Sequence, residues 1–316
     1  MNTTMKKSKS LLKISAAALG VLHCINKLID STVSGNTAAK SSGKYYHWKH
    51  GDIFYHVSGE GTPLLLIHDL NAFSSSYEWK QIAKALAGDY KVYTIDLIGC
   101  GKSDRPCITY TNFFYVQMIS DFVKDVIGEK TDIAANGLSS SFVLMANALN
   151  DKLFGKIMMI NPKKLSVLKN TPNERSKILL RLFDLPIVGK SAYYIAANKT
   201  NIEYYLTEKV FYNPFEVTPG IVKAYYDNAH TSKGNGKALL ASLEGNYLNV
   251  DITQSLKNTS NDMMIVNGMH NEYKDDIVAS YRRINENIEV DEISGSKLLP
   301  QIESYDEMLE TMYRFF

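Results

Sequence analysis

Three stretches of this 316-residue chain concentrate side chains able to do chemistry: LLLIHDLNAFSSSYEW (64–79), IDLIGCGKSDRP (95–106) and ANGLSSSF (135–142). They supply hydroxyls, carboxylates and a histidine. A serine hydroxyl is a poor nucleophile until a base takes its proton, so the histidines bear on what such a cluster can do. There are seven, His23, His47, His50, His56, His68, His230 and His270, and none lies beyond residue 270. His68, Asp69, His270, Asn271 and Glu272 form the best metal-ligating set, yet neither HExxH nor a Cys/His spacing accompanies them. No metal and no cofactor is expected. Cys24, Cys100 and Cys107 lack a CxxC spacing and suggest neither a disulfide scaffold nor a zinc site.

The elements that must position these residues follow from the periodicity. Residues 46–50 and 53–57 alternate around Gly51-Asp52, a hairpin signal. PLLLI (63–67) is a continuous apolar run, as in a strand buried on both faces. KVYTI (91–95), TDIAA (131–135), KIMMI (156–160), MMIV (263–266) and IEVDEI (288–293) read as further strands. Helical spacing covers 77–86, 113–126 and 142–149. Strands alternating with helices imply an α/β fold, a mostly parallel sheet flanked by helices. Residues 162–243 interrupt that alternation with a Tyr-, Leu- and Lys-rich helical pattern too long for a loop. They predict a helical cap inserted between two parts of one core, 44–161 and 244–316. The three reactive stretches then sit at strand C-terminal ends, where open parallel sheets place ligands.

In this order, with a cap following, the motifs resemble the capped branch of the α/β-hydrolase superfamily over residues 44–316. The most specific piece is Asp96-Leu-Ile-Gly99-Cys-Gly101-Lys-Ser103-Asp104. The resemblance implies a G-x-S-x-G nucleophile elbow, a strained strand-to-helix turn flanked by small residues. Gly137-Leu138-Ser139-Ser140-Ser141 takes that place, so Ser139 is expected at the nucleophile position. The oxyanion hole is expected from the backbone N–H groups of Leu70 and Ser140. Asp69 stands where the family carries glycine, and a carboxylate turned inward there would oppose charge stabilisation. His68 is expected to bond backbone in its own loop.

The same resemblance implies the chain order Ser, acid, His. Asn271, in Gly268-Met-His-Asn271, occupies the acid's place, and Asn161 stands near the alternative acid position. Leu298 stands where the histidine belongs. The triad is therefore degenerate, and a substitute base has to come from His270, His230 or Lys297, the last in a Ser–Lys arrangement.

At the other end, Lys6, Lys7, Lys9 and Lys13 precede an apolar run over 14–25, which reads as a targeting segment. The run is short for a full span. Residues 1–43 are expected to form an anchor or export segment with a polar linker over 30–43. Membrane contact is expected through 11–29, making the protein membrane-associated or exported. The alternative is an amphipathic helix packed on the domain or lying on a membrane surface, with the protein cytoplasmic. A net charge of +2 without a basic stripe argues against a nucleic-acid partner. Three readings follow: a hydrolase of a small apolar ester with Ser139 as nucleophile, a catalytically inactive relative binding a small apolar ligand or a partner, and a scaffold at the membrane.

Overall fold

The computed structural model describes the backbone of residues 2–33 and 43–316, and the side chains of 17–32 and 43–316. One sheet organises the chain. Its strands are β1 (Lys44–Trp48), β2 (Gly51–Ser58), β3 (Thr62–Ile67), β4 (Tyr90–Ile95), β5 (Thr131–Asn136), β6 (Phe154–Ile160), β7 (Met263–Gly268) and β8 (Glu289–Ile293). Their order is β1-β2-β4-β3-β5-β6-β7-β8. β2 runs antiparallel to both β1 and β4, and the remaining pairs are parallel. The expected strands are therefore present. The hairpin turn is shifted, because Trp48 pairs with Gly51 and the turn falls on Lys49-His50. Gly51 itself opens β2 with a φ of 141°, a conformation that glycine tolerates.

Strand side chains alternate between two cores, as a period of two requires. Leu64, Leu66, Ala134, Met158 and Met264 pack with Trp79, Ile82, Met308 and Met312 on one face. Leu65, Ile67, Ile133, Ala135, Ile157 and Met159 pack with Tyr115, Phe122 and Phe142 on the other. Burial on both faces explains why these strands read as apolar runs.

Between β6 and β7 lie the cap helices Glu174–Asp184, Val188–Ala196, Lys199–Tyr205, Pro219–His230 and Lys237–Glu244. Buried Arg105 ties cap to core, donating to the carbonyls of Ala72 (3.4 Å), Gly101 (3.3 Å) and Asn228. The Ser242 hydroxyl adds a second tie by accepting from Tyr110 N–H at 3.0 Å.

The N-terminal helix, Asn2–Val33, docks its last turns on this cap. Asn26 Nδ2 donates to Ile187 O (3.1 Å), Ser191 Oγ donates to Asn26 Oδ1 (3.1 Å), and Lys190 Nζ lies 2.6 Å from Asp30. Among the described residues, no helix is long and apolar enough to cross a membrane. Asn26, Lys27 and Asp30 interrupt the apolar run, and Asn26 and Asp30 bond to the cap. Helix continues through 30–33, part of the expected linker, while residues 34–42 and the side chains of Lys6, Lys7, Lys9 and Lys13 lie outside the described residues.

Candidate functional site

The strand-to-helix turn after β5 decides what this site can do. β5 ends at Asn136, Gly137 adopts a left-handed φ of 57°, and Leu138 is already helical at φ −65°, ψ −30°. The sharp tip where this fold exposes a nucleophile is therefore Gly137. Ser139, expected at that tip, lies two residues further on as the first residue of helix Ser139–Leu149. It is fully buried, and its hydroxyl donates to His68 O at 2.7 Å. The physical reason is conformational. The turn needs a left-handed residue that only glycine supplies without cost, and Ala135 and Ser139 are the small residues flanking it. Ser140 Oγ donates to Ala135 O (2.8 Å) and Ser141 Oγ to Leu138 O (2.6 Å). All three serines clamp backbone instead of presenting a hydroxyl to substrate.

The oxyanion donor shifts with the tip. The N–H after it belongs to Leu138, not Ser140, and it donates to Asp69 Oδ1 at 2.8 Å. A Cβ built on Gly137 would overlap the Asp69 carboxylate. Asp69 therefore fills the volume of a nucleophile side chain and consumes one of the donors an oxyanion would need. Lys163 Nζ, 3.6 Å away, partly balances its charge. Leu70, the other expected oxyanion residue, is buried in the same loop.

His68 anchors that loop. Its Nε2 accepts from Leu97 N–H (3.1 Å), which leaves Nδ1–H to donate to Asp69 O (2.7 Å). Burial lowers its pKa, so it is neutral and fixed in one tautomer. Asp96 completes the frame by accepting from Ser76 N–H and Lys102 N–H, both at 2.7 Å.

The chain is similar to known proteins in sequence and in fold. A family model described as the alpha/beta hydrolase fold matches residues 62–183. The chain has the α/β-hydrolase fold. A 2-hydroxy-6-oxo-6-(2'-aminophenyl)hexa-2,4-dienoic acid hydrolase of Metapseudomonas resinovorans is 29% identical over 115 residues, covering 36% of this chain and 40% of that protein. A haloalkane dehalogenase of Agrobacterium fabrum is 40% identical over 53 residues, 17% of each chain. These sequence matches span well under two thirds of the relatives' length. Among solved structures, a serine hydrolase involved in carbazole degradation superposes with TM-score 0.69 at 16% identity, covering 86% of this chain and 97% of that one. A carboxylesterase from Bacillus subtilis superposes with TM-score 0.67 at 16% identity, covering 93% and 98%.

The residues expected at the other two triad positions, Leu298 and Asn271, carry no ionisable group. Leu298 lines a cavity of ≈ 30 Å³ together with Asp69, Gly137 and Asn161, and it brings only methyl groups. That volume admits no more than a few waters. Asn271 Nδ2 donates to Asn161 Oδ1 at 2.9 Å, so the two amides expected at acid positions bond each other. Gly268 N–H donates to the same Asn161 oxygen (3.1 Å), and Asn271 Oδ1 accepts from Tyr273 N–H (3.1 Å).

None of the three substitute bases reaches the tip. His270 stacks on Tyr212 with centroids 3.4 Å apart. His230 is buried in the cap, its Nδ1 2.8 Å from Tyr226 O and its ring stacked on Tyr194. Lys297 Nζ lies 3.6 Å from Glu272 and donates to Glu208 O at 3.3 Å. Each already has partners of its own, and none lines the cavity.

Glu78 is the site residue that the sequence reading passed over. It is 2% exposed, lines the cavity, and accepts from the Tyr225 hydroxyl at 2.9 Å. Burial pushes its pKa up to about 8, and the Asp69 charge adds to the shift. The available signal was its position in SYEW, a carboxylate directly before a fully buried tryptophan.

Proposed function

We propose that this α/β-hydrolase fold binds small molecules without performing the covalent hydrolysis of its relatives. One observation carries the reading: the Asp69 carboxylate holds the Leu138 N–H in the volume where a nucleophile's side chain belongs. Acyl transfer needs a side chain at the tip, a base to activate it and free donors for the oxyanion. Here the tip is Gly137, the base position is Leu298, and the donor is engaged by an anion. Losing one oxyanion donor alone costs roughly 10²–10³ in kcat.

The relatives are named as hydrolases and a dehalogenase, and this supports a small organic ligand here. An ester hydrolase built on Ser139 is the rival reading, and its buried hydroxyl, bonded to backbone, speaks against it. A fluorophosphonate probe followed by intact-mass measurement tests the choice. No adduct is expected on the full chain, and a stoichiometric adduct on Ser139 would overturn the reading.

A further inference from the structure

Gln301, in the short helix Pro300–Glu303, is 1% exposed, yet neither its Nε2 nor its Oε1 has a hydrogen-bond partner. Glu78 Oε2 is buried and unpartnered in the same way. Buried polar groups are almost always satisfied, so each such orphan calls for an explanation. Both residues line a second cavity of ≈ 460 Å³, bounded by the turn Ser76–Trp79, the cap segment 211–221 and helix Pro300–Glu303. This volume falls within the range of small-molecule sites, about 300–1,000 Å³. Phe211 and Ile221, both buried, and the half-buried Tyr77 and Ile302 supply apolar wall. Lys80 and Glu216 share the exposed rim, so the buried end presents no fixed cation.

We propose that this outer cavity is a binding site for a neutral small molecule with an apolar body and a planar amide-type head. Gln301 offers a donor and an acceptor side by side, the complement of a head in which C=O and N–H adjoin. The Gln301 side chain, closed off from solvent in this structure, turns toward the cavity on binding, so that the head's carbonyl accepts from Nε2 and its N–H donates to Oε1, satisfying both orphan atoms. Glu78 Oε2 meets a remaining polar atom of the head. Its raised pKa leaves Glu78 mostly protonated at neutral pH, so it does not penalise the apolar surroundings. The site deepens the binding role proposed above and rests on it. It requires no chemistry on the ligand, so hydrolysis assays test that role separately.

The test titrates benzamide into the full chain by ligand-observed NMR, with toluene and benzoate as controls. Benzamide is expected to saturate with a millimolar Kd, as its size dictates, and to bind more tightly than either control. Gln301→Leu is expected to weaken benzamide roughly tenfold and to raise Tm, because it removes an orphaned amide. Ile221→Trp narrows the cavity from the opposite wall and is expected to abolish binding while the circular dichroism stays native. Absence of saturable benzamide binding, or affinity unchanged in either folded variant, would overturn the proposal.

Discussion

Leu138 donates its backbone N–H to Asp69 Oδ1 at 2.8 Å, joining the elbow after β5 to the loop after β3. In a working hydrolase of this fold, that N–H stabilises charge on the substrate. Here it stabilises charge on the protein itself. The consequence is a closed, self-satisfied site in which Asp69, Gly137 and Leu138 depend on one another.

The first prediction concerns that dependence. Gly137→Ala forces an L side chain into a left-handed turn, which costs about 1–2 kcal/mol, and adds a clash with Asp69. A total loss of about 2–4 kcal/mol is expected in urea unfolding. Asp69→Gly removes the obstructing carboxylate. The double variant is therefore expected to be more stable than the sum of the single losses by about 1–2 kcal/mol. Strict additivity would show that the two groups do not share that volume.

Glu78 governs a pH dependence. Its folded pKa, about 8, lies above its ordinary 4.5, so the folded state favours the protonated form. Its contribution to stability is fully present below pH 4.5 and is lost as pH rises through about 8. Glu78→Gln mimics the protonated carboxyl and cannot ionise. The variant is expected to match wild type near pH 4.5 and to exceed it by a few kcal/mol above pH 8, read from Tm across that range. Asp69→Asn removes the adjacent negative charge, so the Glu78 pKa is expected to fall when followed by carboxyl-selective NMR titration.

Arg105 holds the cap. Arg105→Met keeps much of the apolar stem but leaves the carbonyls of Ala72, Gly101 and Asn228 without these donors. A destabilisation of about 2–4 kcal/mol is expected, with faster amide exchange in helix Pro219–His230. Exchange unchanged in that helix would mean that the cap is held elsewhere.

The N-terminal helix is held more lightly. Asp30→Ala removes the ion pair with Lys190, on partly exposed side chains, and the hydrogen bond from buried Tyr194. About 0.5–1 kcal/mol is expected from the ion pair, so Tm barely moves. Limited proteolysis reads the effect better, with earlier cleavage in 17–33 expected for the variant.

Much of this architecture was legible in the sequence. PLLLI and KIMMI betray strands buried on both faces, and the helical interval between KIMMI and MMIV betrays an insertion. That no histidine follows residue 270 was legible by counting, and Leu298 lines the cavity beside Gly137. The nucleophile register was not. Gly137-Leu138-Ser139 satisfies a G-x-S pattern as letters, while backbone conformation requires Ala135-Asn136-Gly137-Leu138-Ser139, a glycine at the tip between two small residues. The strand boundary at Asn136 separates the two alignments, and boundaries are what single-sequence periodicity resolves least well. Nor was the inward turn of Asp69 decidable, because it depends on an N–H 69 residues away. Glu78 and Gln301 were hidden for the same reason: their orphaned atoms appear only once the cap and the C-terminal segment close over them.

The most direct test of a silent site compares p-nitrophenyl butyrate hydrolysis by the full chain and by Ser139→Ala, from about pH 6 to about pH 10. Identical rates are expected for the two proteins, both at the level of the buffer reaction. Turnover by the wild type that disappears in Ser139→Ala, with the variant still folded, would contradict this, because a buried hydroxyl bonded to His68 O would then have found a base.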